Sequence, residues 1–244
     1  LRPSENRQVM EAIILAGGLG TRLRGVINDL PKPMAPVNGR PFLHYILSWL
    51  AGFPVTKIIM ATGHRSEAIS CHFGKTFDNM PLEYSVEKTP LGTGGAIKKA
   101  LLQTSEDNII VINGDTYFPV DIRRLYDFHN KNRQFLTIAL KKMTDFDRYG
   151  SVICRGNTIM EFREKMRLSE GLINGGIYAV NKRLLPSLPE VFSFEREVLE
   201  KEAGSSGLAG IVFDDDFIDI GIPEDYYRAG IVLPDHAEGR KQGK

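Results

Sequence analysis

Four short strand-like runs in the first half of the chain alternate with segments of helical character, and this alternation restricts the fold more than any other feature. Each run is rich in apolar residues and ends at a glycine or an acidic residue: Glu11–Gly17, Lys57–Gly63, Leu82–Glu87 and Asn108–Asp115. Such runs are typical of strands that a sheet buries on both faces. Strands that alternate with helices form a parallel sheet covered by helices, so we predict a doubly wound α/β fold.

The segment Pro41–Gly52 has the clearest helical pattern. Its apolar residues recur at the spacing of a single helical face, with proline at the start and glycine at the end. Further helices are predicted to begin near Ser66 and to span Gly94–Thr104 and Val120–Asn132. These helices would connect the four strands in turn.

The second half of the chain is richer in strands. The runs Phe135–Lys142, Gly150–Cys154, Thr158–Phe162 and Gly175–Val180 follow one another with few helices between them. We therefore predict that this half extends the same sheet, giving a Rossmann-like doubly wound mixed sheet.

The remaining elements complete a single predicted domain of residues 10–233. They are a helix over Ser193–Ala203, a hairpin of Gly207–Phe213 with Phe217–Gly221, and a closing helix over 223–233. The domain divides at about residue 133 into a first half, 10–133, and a strand-rich half, 134–233. Residues 1–9 and 234–244 are expected to form polar tails outside the fold.

The overall charge argues against several classes of partner. The formal net charge is +1, which indicates no broad basic surface for nucleic acid or for a membrane. No apolar run approaches the roughly 20 residues that span a bilayer, and the first residues lack the apolar core of a secretory signal. The two cysteines, Cys71 and Cys154, are expected to be free thiols in a reducing compartment, with the cytoplasm as the default. The sequence leaves open whether the protein forms a homo-oligomer.

A glycine-rich loop follows the first strand and points to a phosphate ligand. Gly17, Gly18 and Gly20 would let backbone N–H groups approach an anion at the carboxyl end of the strand. Arg22 follows in the same loop, and Lys32 stands between two prolines that restrict its backbone. Two cations on one loop favour a triphosphate.

Two known phosphate loops do not fit this stretch. The dinucleotide fingerprint requires a third glycine where Leu23 stands, and the P-loop requires Gly-Lys followed by Ser or Thr, whereas Val26 follows Gly25. These mismatches argue against an oxidoreductase that binds a dinucleotide. A solvent-exposed loop with incidental charges remains the alternative when the loop is considered alone.

Two aspartates end strands where a metal ion would be useful. Asp115 ends the fourth predicted strand, and Asp219 lies between two isoleucines near the end of the chain. Carboxylates at the ligand edge of a sheet can bind a hard divalent cation such as Mg²⁺. A turn at Asn-Gly-Asp is an equally good explanation of Asp115. Asp219 favours a ligand role, because an unpaired charge among apolar residues is costly.

Several segments together resemble the sugar-1-phosphate nucleotidyltransferases. The stretch "LAGGLGTRLRGVINDLPKPM" is similar to the family's signature loop, although Gly25 stands where a proline is common. The segments "EKTPLGTGGA", "VINGD", "DRYG", "EFREK", "INGGIY" and "FIDIGIPEDY" resemble family segments in the same order. Met166 replaces the proline that follows the family's Glu-Lys pair, so the turn that presents Lys165 is in doubt. The resemblance implies the nucleotide-diphospho-sugar transferase type of fold.

The resemblance also implies which residues form the site. The residues expected to contact the nucleotide are Leu15, Ala16, Gly17, Gly18, Gly20, Thr21, Glu87, Pro90, Gly92 and Thr93. The residues expected to contact the sugar are Asn113, Tyr149, Gly150, Glu164, Asn174 and Gly175. Arg22, Lys32 and Lys165 would be the catalytic cations, and Asp115 and Asp219 would bind Mg²⁺. For Tyr149, simple packing is an alternative of equal weight.

Glu87 bears on the choice of base. Guanine presents two adjacent donors, N1–H and the 2-amino group, and one carboxylate can accept from both. Uracil and thymine present one donor between two acceptors, which suits an amide better. Glu87 therefore favours guanine, while a pair with Lys88 or contact with solvent alone remains the alternative.

The resemblance and these residues together predict an enzyme whose partners are GTP and a sugar 1-phosphate. A phosphate oxygen of the sugar would attack the α-phosphorus of GTP and release pyrophosphate, without a general base. The segments are most similar to guanylyltransferases of heptose 1-phosphate, which supply activated sugars for surface glycans such as lipopolysaccharide, capsule or S-layer glycoprotein. Transfer to mannose 1-phosphate and uridylyl transfer to N-acetylmuramate 1-phosphate remain open, as does a non-catalytic subunit that senses nucleotide-sugar.

Overall fold

The structure is a computed structural model that describes residues 9–18 and 30–239, with side chains up to residue 233. Its first half contains strands β1 (Met10–Leu15), β2 (Pro36–Val37), β3 (Arg40–Pro41), β4 (Val55–Thr62), β5 (Thr76–Phe77), β6 (Met80–Val86), β7 (Asn108–Asn113) and β8 (Thr116–Tyr117). The second half contains β9 (Leu136–Phe146), β10 (Gly150–Arg155), β11 (Thr158–Lys165), β12 (Leu168–Asn181), β13 (Leu208–Phe213) and β14 (Ile218–Asp219). The α-helices are α1 (Phe42–Leu50), α2 (Ser66–Phe73), α3 (Gly92–Leu101), α4 (Ile122–Lys131), α5 (Glu200–Glu202) and α6 (Pro223–Gly239).

Ten of the described strands form one sheet in the order β10-β11-β13-β9-β12-β7-β1-β4-β6-β5. At its centre, β7, β1, β4 and β6 run parallel to one another. The chain moves outward from β1 through β4 to β6 and then returns to the other side of β1 as β7. This reversal creates a switch point between β1 and β7, where open α/β sheets bind their ligands. The predicted doubly wound fold is confirmed.

Strands β1, β4 and β7 are buried on both faces, because their side chains alternate between two apolar clusters. In β1, Ala12 and Ile14 pack in one cluster, whereas Ile13 packs in the other. Helices α1, α2, α4 and α6 cover the first face, and α3 covers the second. These three strands therefore have mostly apolar sequences, whereas β6 alternates between buried and exposed positions.

The second half continues the same sheet with mostly antiparallel strands, which confirms the predicted mixed sheet. The long strand β12 pairs antiparallel with β7 on one side and with β9 on the other. It begins at Leu168, seven residues before the predicted start at Gly175. The early residues are partly exposed and alternate weakly in polarity, so the sequence pattern did not reveal them.

The predicted hairpin of Gly207–Phe213 with Phe217–Gly221 is wrong. Strand β13 runs parallel to β9 in the large sheet, and β14 pairs instead with β8, in a separate two-stranded ladder. The Lys141 ammonium donates to the carbonyls of Asp214 and Asp215, which holds the connecting segment away from a tight turn. This long-range pairing places Asp219 opposite Thr116, and hence beside Asp115.

The helix predicted over Ser193–Ala203 is shorter and partly irregular. It begins with a π-helical turn, Glu195–Leu199, and continues as α5. Single π-turns are rare and occur frequently at functional sites. Within the described part of the chain, no helix is both long and apolar enough to cross a membrane.

Candidate active site

The carboxyl ends of β1 and β7 touch at Gly114. Its backbone N–H donates to the carbonyl of Leu15 over 2.9 Å. A β-carbon on Gly114 would lie 2.5 Å from that carbonyl oxygen, closer than van der Waals contact permits. Glycine is therefore required for the two strand ends to meet, and the chain that leaves this contact carries Asn113 and Asp115 into the space beyond the sheet.

A short 3₁₀ turn, Lys32–Met34, presents Lys32 at this edge. Pro31 precedes the turn, and its carbonyl accepts the Met34 N–H over 2.8 Å. The Lys32 ammonium lies 2.6 Å from the Asp115 carboxylate and 3.5 Å from that of Asp219. Its side chain is only 14% exposed, so this charge is held in one place. The structure thus brings together one predicted cation and both predicted metal ligands.

A first cleft of about 450 Å³ opens on the β1 side of this cluster. Seven of the predicted nucleotide-binding residues line it: Leu15, Gly17, Gly18, Glu87, Pro90, Gly92 and Thr93. Lys32, Asn113 and Asp115 form the end of the cleft that faces the rest of the site. Ala16 lies behind the lining, where its N–H bonds to the carbonyl of Ala61. The predicted residues Gly20, Thr21 and Arg22 lie outside the described residues.

The two oxygens of Glu87 have different surroundings. Oε2 accepts the backbone N–H of Leu91 over 3.0 Å, which closes the loop before α3. Oε1 faces the backbone of Gly17, 3.7 Å from where a β-carbon would stand. Pairing with Lys88 is absent among the described contacts, and Glu87 instead lies in the wall of the first cleft.

The glycines of the segment Gly92–Gly95 have a packing role that the sequence did not indicate. A β-carbon on Gly94 would lie 2.1 Å from the ring of Phe192, and one on Gly95 would lie 2.2 Å from the carbonyl oxygen of Glu190. The close approach that these glycines permit is between α3 and the 190–194 segment. Of these glycines, only Gly92 lines the first cleft.

Two further clefts open on the other side of Asp219. The second cleft, of about 450 Å³, is lined by Arg148, Tyr149, Gly150, Lys165, Asn174, Asp219, Gly221, Ile222 and Asp225. The third, of about 490 Å³, shares Gly150, Lys165 and Asn174 with it and adds Glu164. Lys165 is the last residue of β11 and pairs in register with Gly150, so a strand end presents the lysine despite the missing proline.

The remaining residues predicted to contact the sugar make hydrogen bonds or packing contacts with other parts of the protein. The Asn174 amide donates to the Tyr178 hydroxyl and accepts the N–H of Gly176. Gly175 packs where a β-carbon would meet the ring of Phe118 at 2.6 Å, and it lines none of the three clefts. The Tyr149 ring packs edge-to-face on Phe217, and the residue also lines the second cleft, so a contact with the sugar stays a prediction.

The model of the nucleotidyl transferase family matches residues 11–234, which is most of the chain. The chain belongs to this family. The predicted resemblance is thereby confirmed, and with it the conclusion that the protein is a nucleotidyl transferase enzyme.

Three proteins with high similarity illustrate where it stands within the family. The chain is 50% identical to D-glycero-alpha-D-manno-heptose 1-phosphate guanylyltransferase from Aneurinibacillus thermoaerophilus, over 90% of this chain and 96% of that protein. It is 45% identical to the protein of the same name from Campylobacter jejuni, over 89% and 97% of the two chains. The crystal structure of HddC from Yersinia pseudotuberculosis complexed with GMP-PN has a TM-score of 0.82 at 37% identity, covering 91% and 99%.

This nucleotidyl transferase has further cleft residues that the sequence did not single out. Glu195 lines both the first and the third cleft, and its carboxylate accepts the hydroxyls of Thr93 and Ser193. Arg148 and Asp225 form an ion pair in the wall of the second cleft. The signal for Arg148 was present in "DRYG", but its partner stands 77 residues away, where the sequence carries no sign of the contact.

The donor set at Asp115 and Asp219 fits a divalent cation. Burial raises the pKa of Asp219 above its usual value and the charge of Asp115 raises it further, even though Lys32 opposes both effects. A single ammonium therefore does not fully compensate the two carboxylates, and a second cation would stabilise their ionised forms. Among the described residues, no three acidic, histidine or cysteine side chains group to hold a metal. Phosphate and water oxygens would have to complete its coordination.

Proposed function

We propose that this nucleotidyl transferase transfers GMP from GTP to D-glycero-α-D-manno-heptose 1-phosphate and releases pyrophosphate and GDP-heptose. The observation that carries the proposal is the identity of 50% and 45% to two guanylyltransferases of this sugar, along nearly the whole length of each. The three clefts support it, because a nucleotide and a sugar phosphate need adjacent spaces that meet at one charged point.

The reaction requires no general base. A phosphate oxygen of the sugar 1-phosphate is already ionised near neutral pH, and it forms a bond to the α-phosphorus as the bond to pyrophosphate breaks. The protein must bring two anions together and stabilise the charge that develops. Lys165, exposed at the end of β11, would hold the attacking phosphate.

Lys32 would act at the point where the clefts meet. It lines the first cleft and reaches Asp219, which lines the second. We propose that its charge stabilises the α-phosphate during transfer, and that Arg22, outside the described residues, stabilises the departing pyrophosphate. Asp115 and Asp219 would hold Mg²⁺, which supplies charge neutralisation when it is bound.

Glu87 would read the base. Its Oε2 is committed to the Leu91 N–H, so Oε1 is the oxygen better placed to accept from guanine. A carboxylate oxygen has two lone pairs, and Oε2 can still accept one further donor. We propose that guanine N1–H and the 2-amino group bind here.

The proposed division of the chain follows the clefts. The first half, residues 10–133, would bind the nucleotide, and the strand-rich half, 134–233, would bind the sugar. Cys71 and Cys154 are both free thiols, which supports a reducing compartment such as the cytoplasm. The product would serve as an activated sugar for surface glycans.

Pyrophosphate release tests the proposal directly. Purified protein with Mg²⁺ is assayed with GTP, UTP, CTP and dTTP, each against heptose 1-phosphate, mannose 1-phosphate and N-acetylmuramate 1-phosphate. We expect GTP with heptose 1-phosphate to give the highest kcat/KM. A preference for UTP would refute the assignment of the base, and a preference for mannose 1-phosphate would refute that of the sugar. No turnover with any pair would favour a subunit that only senses nucleotide-sugar.

A further inference from the structure

The Arg148–Asp225 ion pair is the most unusual polar feature of the second cleft. Arg148 lies just before β10, and Asp225 lies in the first turn of α6. The Asp225 side chain is 18% exposed, and the guanidinium also donates to the Tyr149 hydroxyl over 3.1 Å. The guanidinium carbon stands 5.5 Å from the centre of the Tyr149 ring. The Arg148 side chain is 39% exposed, so its guanidinium pairs with Asp225 and still faces the second cleft.

The catalytic roles proposed above leave this pair without a function. Asp225 is close enough to Asp219 to raise its pKa, yet the described residues contain no cluster of three potential metal ligands. Among the acidic residues described, Arg148 pairs with Asp225 alone. A purely structural pair would serve equally well outside the cleft, as the pair of Lys182 with Asp107 does.

The shape of the proposed substrate gives the pair a use. In a pyranose 1-phosphate, C1 and C5 flank the ring oxygen, so the exocyclic chain leaves the ring on the same edge as the phosphate. The second cleft contains Lys165 and Asp219, where the phosphate would lie, together with Arg148 and Asp225. The third cleft shares Lys165 but contains neither Arg148 nor Asp225. Ring hydroxyls on the opposite edge of the sugar would face this third cleft.

We propose that Arg148 and Asp225 bind the exocyclic diol of the heptose and thereby select heptose over mannose. This inference rests on the proposed function. The heptose has one more hydroxylated exocyclic carbon than mannose, and hence two adjacent hydroxyls in place of one. A carboxylate accepts from both hydroxyls while the guanidinium donates to one, and Ile222 and Tyr149 supply an apolar wall for the carbons.

A comparison of three sugar substrates in two proteins tests the contact. The kcat/KM values are measured with GTP for heptose 1-phosphate, for its 7-deoxy analogue and for mannose 1-phosphate, in wild type and in Asp225→Ala. Wild type is expected to prefer heptose over the 7-deoxy analogue by about 10- to 100-fold, the effect of a hydrogen bond to a charged group. In Asp225→Ala this preference is expected to fall to within about threefold.

Two further variants separate binding from folding. Arg148→Lys keeps the positive charge but loses the planar fork, so it is expected to reduce the same preference by a smaller factor. Asp107→Asn removes an ion pair that lines none of the three clefts and is expected to leave all three kcat/KM values at the wild-type level. Thermal unfolding is recorded for each protein, so that a loss of folded enzyme is not read as a loss of specificity.

The outcomes distinguish the inference from the function on which it rests. If wild type prefers heptose and Asp225→Ala keeps that preference, the diol contact is wrong and the proposed function stands. If wild type shows no preference between heptose and its 7-deoxy analogue, the diol contact is also wrong. In that case the wild-type data alone are sufficient. If wild type does not use heptose 1-phosphate at all, the proposed function fails and the inference fails with it.

Discussion

His129 should make the stability of this protein depend on pH in a narrow window. The side chain lies on α4 and is fully buried. Its Nδ1 is 3.0 Å from the Thr137 hydroxyl, and its Nε2 is 3.2 Å from the carbonyl oxygen of the Asn108 side chain. That oxygen also accepts from Asn181. The network therefore indicates a neutral ring that donates through Nε2 and accepts at Nδ1.

Burial lowers the pKa of His129 from 6.5 to about 4, because the imidazolium would lose its hydration. The unfolded chain consequently binds a proton between these two values while the folded protein does not. Stability from this residue is thus complete above pH 6.5 and is lost as the pH falls toward 4. Each pKa unit corresponds to about 1.4 kcal/mol, so the full loss is about 3 kcal/mol. Between pH 7.5 and pH 5.0, His129 is expected to lower the free energy of unfolding by about 2 kcal/mol.

Urea unfolding at pH 7.5 and at pH 5.0 measures this loss of unfolding free energy. The free energy of unfolding of wild type is compared with that of His129→Gln, which keeps hydrogen-bonding capacity but cannot titrate. On acidification, wild type is expected to lose about 2 kcal/mol more than the variant does. His72→Gln, at an exposed position on α2, serves as the control and is expected to follow wild type. If His129→Gln shows the same pH dependence as wild type, the buried neutral ring is not its source.

Three other perturbations test the site and its support. Gly114→Ala forces a contact of 2.5 Å with the carbonyl of Leu15, so it should destabilise the protein by about 1–3 kcal/mol and lower kcat. The control Gly230→Ala makes no contact under 3.7 Å and should change neither stability nor kcat. Chemical denaturation and pyrophosphate release measure both effects. Lys32→Met should lower kcat by about 100-fold with little change in KM for GTP. Without nucleotide, the variant should bind Mn²⁺ more tightly than wild type, because the lysine of wild type competes for the same carboxylates. Titration calorimetry that shows weaker Mn²⁺ binding would contradict this competition. Glu11→Ala removes the charged acceptor of the Ser105 and Glu106 backbone N–H groups, which should cost about 1–3 kcal/mol in unfolding free energy at pH 7.

Local patterns in the sequence were sufficient for the parallel half of the fold. A strand such as β1 is apolar at every position except Glu11 because both faces of the sheet are covered, and that pattern needs no knowledge of distant residues. The predicted ends of these strands also located the first cleft, since ligands bind at the carboxyl edge of a parallel sheet. Lys32, Asp115 and Asp219 meet there in the structure.

Long-range pairings were not predictable in the same way. The sequence around β14 is as compatible with a hairpin to β13 as with the ladder to β8, because both pairings bury the same isoleucine. The choice depends on how β13 is used elsewhere in the sheet. The Arg148–Asp225 pair has the same origin: its partners come together only because α6 packs beside the end of β14.

A glycine indicates that something approaches closely, but it does not identify what approaches. At Gly114 the neighbour is the adjacent strand, and at Gly94 it is the Phe192 ring.

Charges placed at the strand ends explain how a protein with so small a net charge could bind two polyanionic substrates. The chain as a whole has a formal net charge of +1, so a long-range field contributes little to binding them. The attraction must come from cations held at fixed positions and shielded from water, where each interaction is stronger than on the surface. Lys32 meets both requirements, because the two aspartates fix its position and only 14% of its side chain is exposed. The same carboxylates that orient it would also bind the divalent ion, so positioning of the lysine and neutralisation of the phosphates depend on one pair of residues.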